Sequence, residues 1–171
     1  MKYVLVDRYL ELVPGEHATA VKNVPLGEDY HAAPCLEPAY PPSLLMETMA
    51  QAAGMLIAVT FDFQRKTVFA KIETAEFPSS ALPGDSIQVQ AGFLERLGGH
   101  CRMQVTSSVD ERTVGRMTGL FTALELEKNE GHAFDTPEFA RARESALKCL
   151  GVRELLERAR EAQGPEAEGG S

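Results

Sequence analysis

At 171 residues the chain has the length of one domain, enough to bury roughly two thirds of its unfolded surface around a core without staples. Its formal net charge of −8 argues against a nucleic-acid partner, because phosphate backbones are bound by clustered Lys and Arg. Three cysteines, Cys35, Cys101 and Cys149, are too few and too scattered for a metal centre, and their odd number suits free thiols in a reducing, cytoplasmic compartment.

The first run, MKYVLVDRYLELV, turns acidic and polar before a long apolar region can form, so it reads as a structural strand rather than a signal peptide. RYLELV and HATAVKNV, separated by PGE, have the composition and spacing of a hairpin. The next element is PPSLLMETMAQAAGMLIAVT, residues 41–60, which is apolar on nearly every side. Pro41 and Pro42 forbid an earlier helical turn, and Ser43 can offer its hydroxyl to the backbone donors of the helix start. Leu44, Leu45, Met46, Met49, Ala52, Ala53, Leu56, Ile57 and Val59 then cover most directions, the pattern of a helix wrapped by other structure. Ser43, Glu47 and Gln51 are spaced by four and form one narrow polar stripe. That stripe faces either water or a pocket, and a carboxylate in such company is rarely buried unless it is paired or used. A bilayer span would have to include Glu47 and Gln51 and lacks aromatic and basic anchors, so no membrane span is expected.

Four strand-like runs follow, TVFAKIETAEF, SIQVQAGFLERL, HCRMQVTSSV and TVGRMTGLFTALEL, divided by PSSALPGD, GG and DER. Ile87, Val89, Ala91 and Phe93 alternate with Ser86, Gln88 and Gln90, which gives one buried and one wetter face. The fold class is α+β, an antiparallel sheet wrapped around a long central helix. After Leu126 a polar linker, EKNEGHAF, leads to DTPEFARARESALKCLG, a helix with Asp135 or Thr136 as its cap, Pro137 in its first turn and Gly151 at its close. VRELLERAREAQ is a second helix, with Val152, Leu155, Leu156 and Ala159 along one side, and GPEAEGGS reads as disordered. The chain therefore divides into a domain over 1–127, a helical extension over 128–163 and a tail over 164–171.

The segments VDRYLELVPGEHATAVKNV, EPAYPPSLLMETMAQAAGML and FAKIETAEFPSSALPGDSIQVQ resemble the β-hydroxyacyl-acyl carrier protein dehydratases of fatty-acid synthesis, the FabZ/FabA-like family with the hotdog fold. The similarity runs from about Tyr3 to about Leu126, in the family's order. Its most specific signatures are Glu47-x-x-Ala50-Gln51 and Pro83-Gly84-Asp85 opening a strand. The resemblance implies water elimination from a (3R)-hydroxyacyl thioester carried by acyl carrier protein or coenzyme A. It also implies a tunnel between two subunits, hence a homodimer or higher homo-oligomer, and no cofactor. In the family a loop histidine and the helix glutamate flank the thioester. The chemistry accounts for these types: the hydrogen on C2 needs a base near neutral pKa, and a carboxyl in an apolar site stays protonated to assist the departing hydroxyl. Glu47 takes the acid role, and Gln51, one turn on, holds it or shapes the tunnel.

Two positions depart from the family pattern. Counting back from Glu47 through Pro41 and Pro38, the histidine position holds Ala33. The nearest histidine, His31, comes into register only through compensating two-residue shifts on either side, and otherwise reads as an exposed loop residue. The glycine whose backbone N–H faces the thioester carbonyl in the family is here Pro42, which has no N–H, so a donor must come from Ser43. The catalytic candidates are thus Glu47 and His31, and the substrate-binding candidates Ser43, Gln51, Pro42 and Ala33. Three readings stay open: a dehydratase with a displaced histidine, a catalytically degenerate acyl-thioester-binding or complex-forming subunit, and an acyl thioesterase working with a lone carboxylate. Cys35 reads as a passive thiol, His17 and His100 as surface residues, His132 as a residue without a partner, and Asp85 as a turn residue.

Overall fold

The structure, a computed structural model, describes residues 4–26, 38–125, 141, 144–145 and 147–163. Tyr30, His31, Ala33, Cys35 and His132, the linker and the tail lie outside the described residues, as does most of the first predicted C-terminal helix.

Alternating strands and one apolar helix assemble in the order β1 (Arg8–Val13), β2 (His17–Asn23), α1 (Pro42–Thr60), β3 (Arg65–Glu76), β4 (Ser86–Leu97), β5 (His100–Val109), β6 (Arg112–Glu125) and α2 (Val152–Gln163). All strands are antiparallel to their neighbours, in the sheet order β1-β2-β4-β5-β6-β3. In β4, Ile87, Val89 and Ala91 point inward and Ser86, Gln88 and Gln90 outward, as their alternation predicts. An extra residue at Leu94 shifts the β4–β5 register, a bulge of the kind that curls a sheet.

The curled face receives α1. Leu45, Met49, Ala52, Ala53, Leu56 and Ile57 are buried in one cluster with Met103, Val105, Met117 and Phe121 of the sheet. Each large side chain so buried stabilises the fold by about 1.5–3 kcal/mol relative to exposure. The helix comes this close because position 115 is glycine: a Cβ there would stand 2.6 Å from Ser107 Oγ and 3.2 Å from both Leu45 Cδ2 and Met49 Sδ. Although α1 is long and apolar enough to cross a membrane, half of its qualifying window is buried inside the fold, so its apolarity serves the core. The architecture is the α+β hotdog arrangement, a sheet wrapped around a central helix.

The turn before β4 holds Gly84 at φ +95, beside Asp85, whose carboxylate accepts from Leu82 N at 2.8 Å and whose carbonyl accepts from Val24 N at 2.9 Å. Asp85 is thus the turn residue its sequence context suggests. At the opposite edge, α2 packs on β1. Leu150 and Val152 are buried there, and the Leu150 carbonyl accepts from Tyr9 N at 3.0 Å.

Candidate active site

The head of α1 is built by two prolines. Pro41 is the N-cap, with φ −59 and ψ 136, and Pro42 is the first helical residue. The first backbone bond of the helix runs from Leu45 N to the Pro41 carbonyl at 2.9 Å, which leaves the Ser43 and Leu44 N–H groups ahead of it as the helix's donors. The sequence suggests a hydroxyl cap from Ser43, but the structure makes no side-chain cap here. Ser43 stands inside the first turn, one place beyond Pro42, where its hydroxyl is past the capping position. No acidic residue occupies the first turn, so the helix itself places no carboxylate at the positive end of its dipole. The chain entering the helix is fixed by Tyr40, whose N–H donates to the Ala81 carbonyl at 2.8 Å and whose hydroxyl lies 2.9 Å from buried Thr48 Oγ1.

One turn along the same face stands Glu47. Its Oε1 accepts from Gln51 Nε2 at 3.0 Å, so the spacing of four does bring the two together. Gln51 Oε1 in turn accepts from Leu5 N at 2.9 Å. A backbone N–H can only donate, so it assigns the oxygen of the carboxamide to itself and turns the nitrogen toward Glu47. Tyr9 adds a bond from its hydroxyl to the Gln51 backbone carbonyl at 3.3 Å. Burial pushes the Tyr9 phenol well above its ordinary value near 10.

Within the single chain Glu47, Ser43 and Pro42 are exposed and Gln51 is half-buried. The sheet covers α1 from the other side, so the polar stripe is turned away from it. Leu44, Met46 and Met55, all half-buried, flank the stripe. A Cβ at Gly54, the next turn of that face, would meet nothing within 4 Å. Ser43, Glu47 and Gln51 therefore share one outward face of α1 and Pro42 is exposed at its head, while His31 and Ala33 lie outside the described residues.

The parts that sequence reasoning missed are Leu5 and Tyr9. Leu5 acts through a backbone N–H, which every residue but proline carries and which leaves no mark in the sequence. The other candidates keep their bland readings. His17 is half-exposed in β2 with Glu11 Oε2 3.2 Å away, and His100 is exposed at the start of β5. Cys101 is buried, which raises its thiol pKa against the opposing pull of Arg96 and Arg65, and Cys149 is exposed. Among the described residues no three His, Cys, Asp or Glu gather as metal ligands.

The FabA-like domain matches residues 1–118. The 3-hydroxyacyl-[acyl-carrier-protein] dehydratase FabZ of Ruminiclostridium cellulolyticum is 39% identical over 110 residues, 63% of this chain and 78% of that protein. Its namesake from Thioalkalivibrio sulfidiphilus is 31% identical over 133 residues, 73% and 89% of the two chains. Among solved structures, an uncharacterized protein from Pyrococcus horikoshii is similar with a TM-score of 0.61 at 16% identity, covering 74% of this chain and 89% of that one. A hypothetical thioesterase with coenzyme A from Streptococcus pneumoniae reaches 0.58 at 12% identity, covering 71% and 88%. Likeness at such identities shows the fold alone, whereas the family match spans most of the chain. By that match this chain belongs to the FabA-like domain family.

Proposed function

We propose that the protein is a dehydratase of 3-hydroxyacyl thioesters, cytoplasmic and acting in fatty-acid or polyketide metabolism, with Glu47 as its general acid. The observation that carries this reading is the placement of a Gln51-held carboxylate one turn from the N–H donors at the head of α1. Four residues of helix separate the two by about 6 Å along the axis, the scale of an acyl group that spans carbonyl and C3 hydroxyl. The relatives' name supports acyl carrier protein as the carrier.

In this reading the thioester carbonyl lies at the helix head, where the Ser43 N–H stabilises the enolate that forms when the C2 proton leaves. Pro42 supplies no N–H, so Ser43 stands in for it. The base is His31, or a water in the space left by Ala33. Glu47 gives its proton to the C3 hydroxyl, the C3–O bond breaks, and the products are a 2-enoyl thioester and water. The site is completed by a second copy of the chain. What supports this is the outward face of α1, where Leu44, Met46 and Met55 are only half covered beside the exposed Glu47.

The test runs the reaction from the product side. A short 2-enoyl thioester on acyl carrier protein and on coenzyme A is incubated with the protein, and hydration and free thiol are followed by mass spectrometry. Hydration that falls about 10²–10⁴-fold in Glu47→Gln supports the acid role, and a parallel loss in His31→Ala assigns the base. Thiol release that depends on Glu47 alone makes the protein a thioesterase instead. Silence of the folded wild-type protein on both carriers supports a non-catalytic acyl-binding subunit, the reading that the missing N–H at Pro42 favours.

A further inference from the structure

Glu47 is exposed, and the bond that orients it comes from a side chain that is itself oriented from elsewhere. Gln51 could present either end of its carboxamide to Glu47; with the oxygen forward, two acceptors would face each other. Leu5 N, 46 residues away in sequence, removes the choice. The segment that carries Leu5 is anchored in turn. Val6 is buried, Asp7 N donates to the Val21 carbonyl at 2.9 Å, and Asp7 Oδ2 accepts from Asn23 N. At its end Tyr9 gives its hydroxyl to the Gln51 carbonyl and its N–H to the Leu150 carbonyl, next to fully buried Val152.

We propose that Gln51 is the positioning residue of Glu47, and that the two ends of the chain set it. The segment of residues 4–9 supplies the N–H that orients the carboxamide, and the C-terminal extension, docked through Leu150 and Val152, clamps that segment onto α1. This rests on the reading of Glu47 as the acid. Its consequence is that an extension packed on the far edge of the sheet governs turnover without touching substrate, because a small misplacement of an acid costs rate rather than binding.

Five substitutions in the full chain separate the links. Leu5→Pro removes the N–H, whereas Leu5→Ala keeps it and shortens only the side chain. Gln51→Glu keeps an acceptor for Leu5 but has no donor for Glu47, and Gln51→Met keeps neither. The expected result is a fall in kcat on the order of 10²-fold for Leu5→Pro, Gln51→Glu and Gln51→Met, with KM little changed and a smaller fall for Leu5→Ala than for Leu5→Pro. Hydrogen exchange gives a readout that needs no turnover: the Leu5 amide is protected in wild type and Gln51→Glu and exchanges fast in Gln51→Met. Val152→Asp, which expels the extension, is expected to speed exchange at Leu5 and lower kcat in the same way.

Equal Leu5 exchange in wild type and Gln51→Met overturns the anchor. Wild-type kcat in Gln51→Glu beside an inactive Glu47→Gln overturns the positioning role while leaving the acid in place. Full activity in Glu47→Gln removes the acid assignment itself, and the exchange result then still decides whether the chain ends set Gln51. Unchanged exchange and kcat in Val152→Asp removes the clamp. If Leu5→Pro fails to fold, the two Gln51 variants carry the decision.

Discussion

Tyr9 joins strand, helix and extension through one side chain and one N–H, and its buried phenol makes its contribution depend on pH. The folded state holds the phenolic proton more tightly than the unfolded chain, because burial raises the group above its ordinary value near 10. The stability that Tyr9 supplies is therefore complete below pH 10 and is lost as pH rises beyond it. Near neutrality Tyr9→Phe loses one hydrogen bond, at a cost of about 1 kcal/mol. In alkali the wild type should lose stability faster than the variant, so urea unfolding across that range should bring the two together. Cys101, whose thiol burial also raises, acts in the same sense in both proteins and leaves the difference to Tyr9. Parallel curves would show that the phenol does not couple to unfolding. A second residue-scale prediction concerns Gly115, where an added methyl group meets Ser107, Leu45 and Met49 at once. Gly115→Ala should lower stability by about 1–3 kcal/mol, seen as a lower urea midpoint at unchanged slope. The sequence marks Glu47 and Gln51 as partners by their spacing. It does not mark which way their stripe faces, because α1 is apolar on nearly all sides and only the sheet's position decides which side is inner.

At the scale of elements, legibility followed how completely one face of each strand is buried. β4 and β5 have the bounds their alternation predicts, since every inward residue from Ile87 to Ala91 and from Cys101 to Val105 meets the core. β3 is different: most of its residues are exposed despite Val68, Phe69 and Ile72, and it begins at Arg65, where pairing with Glu125 extends the ladder beyond the apolar run. The helical character of α2 was legible from Val152, Leu155 and Leu156, but its seat on β1 was not, because that depends on a backbone bond between Leu150 and Tyr9. We propose that the division at about residue 127 separates a sheet domain from this docked extension. Val152→Asp would place a charge at a fully buried site, and should cost about 2–4 kcal/mol. Limited proteolysis should then release the extension before it cuts the sheet domain. Simultaneous loss of both would mean that extension and domain unfold as one unit.

The whole molecule is asymmetric at its two sheet edges. Helix α2 packs on β1, whereas among the described residues no strand pairs with the outer edge of β3, twelve residues long. An uncovered edge of that length, with Val68 and Ile72 exposed, is a template for a second chain. Ile72 pairs with Gly119 across the ladder, and so shares a face with the Phe69–Phe121 stack that lines the helix side of the sheet. Pairing two copies along β3 would extend both sheets and lay the outward faces of the two α1 helices toward each other, which closes apolar walls over Glu47. A dimer is expected only through the family resemblance, since no pattern in one chain distinguishes a face meant for a partner from a face meant for solvent. Wild-type protein at micromolar concentration should sediment as a dimer, and Ile72→Lys, which sets a charge on the exposed edge strand of each copy, should sediment as a monomer. The monomer should retain its fold, because Ile72 is already 40% exposed, and should lose hydratase activity together with its partner. A variant that stays dimeric and active would move the interface away from β3, whereas a monomer with full activity would show that Glu47 works without a second chain to cover it.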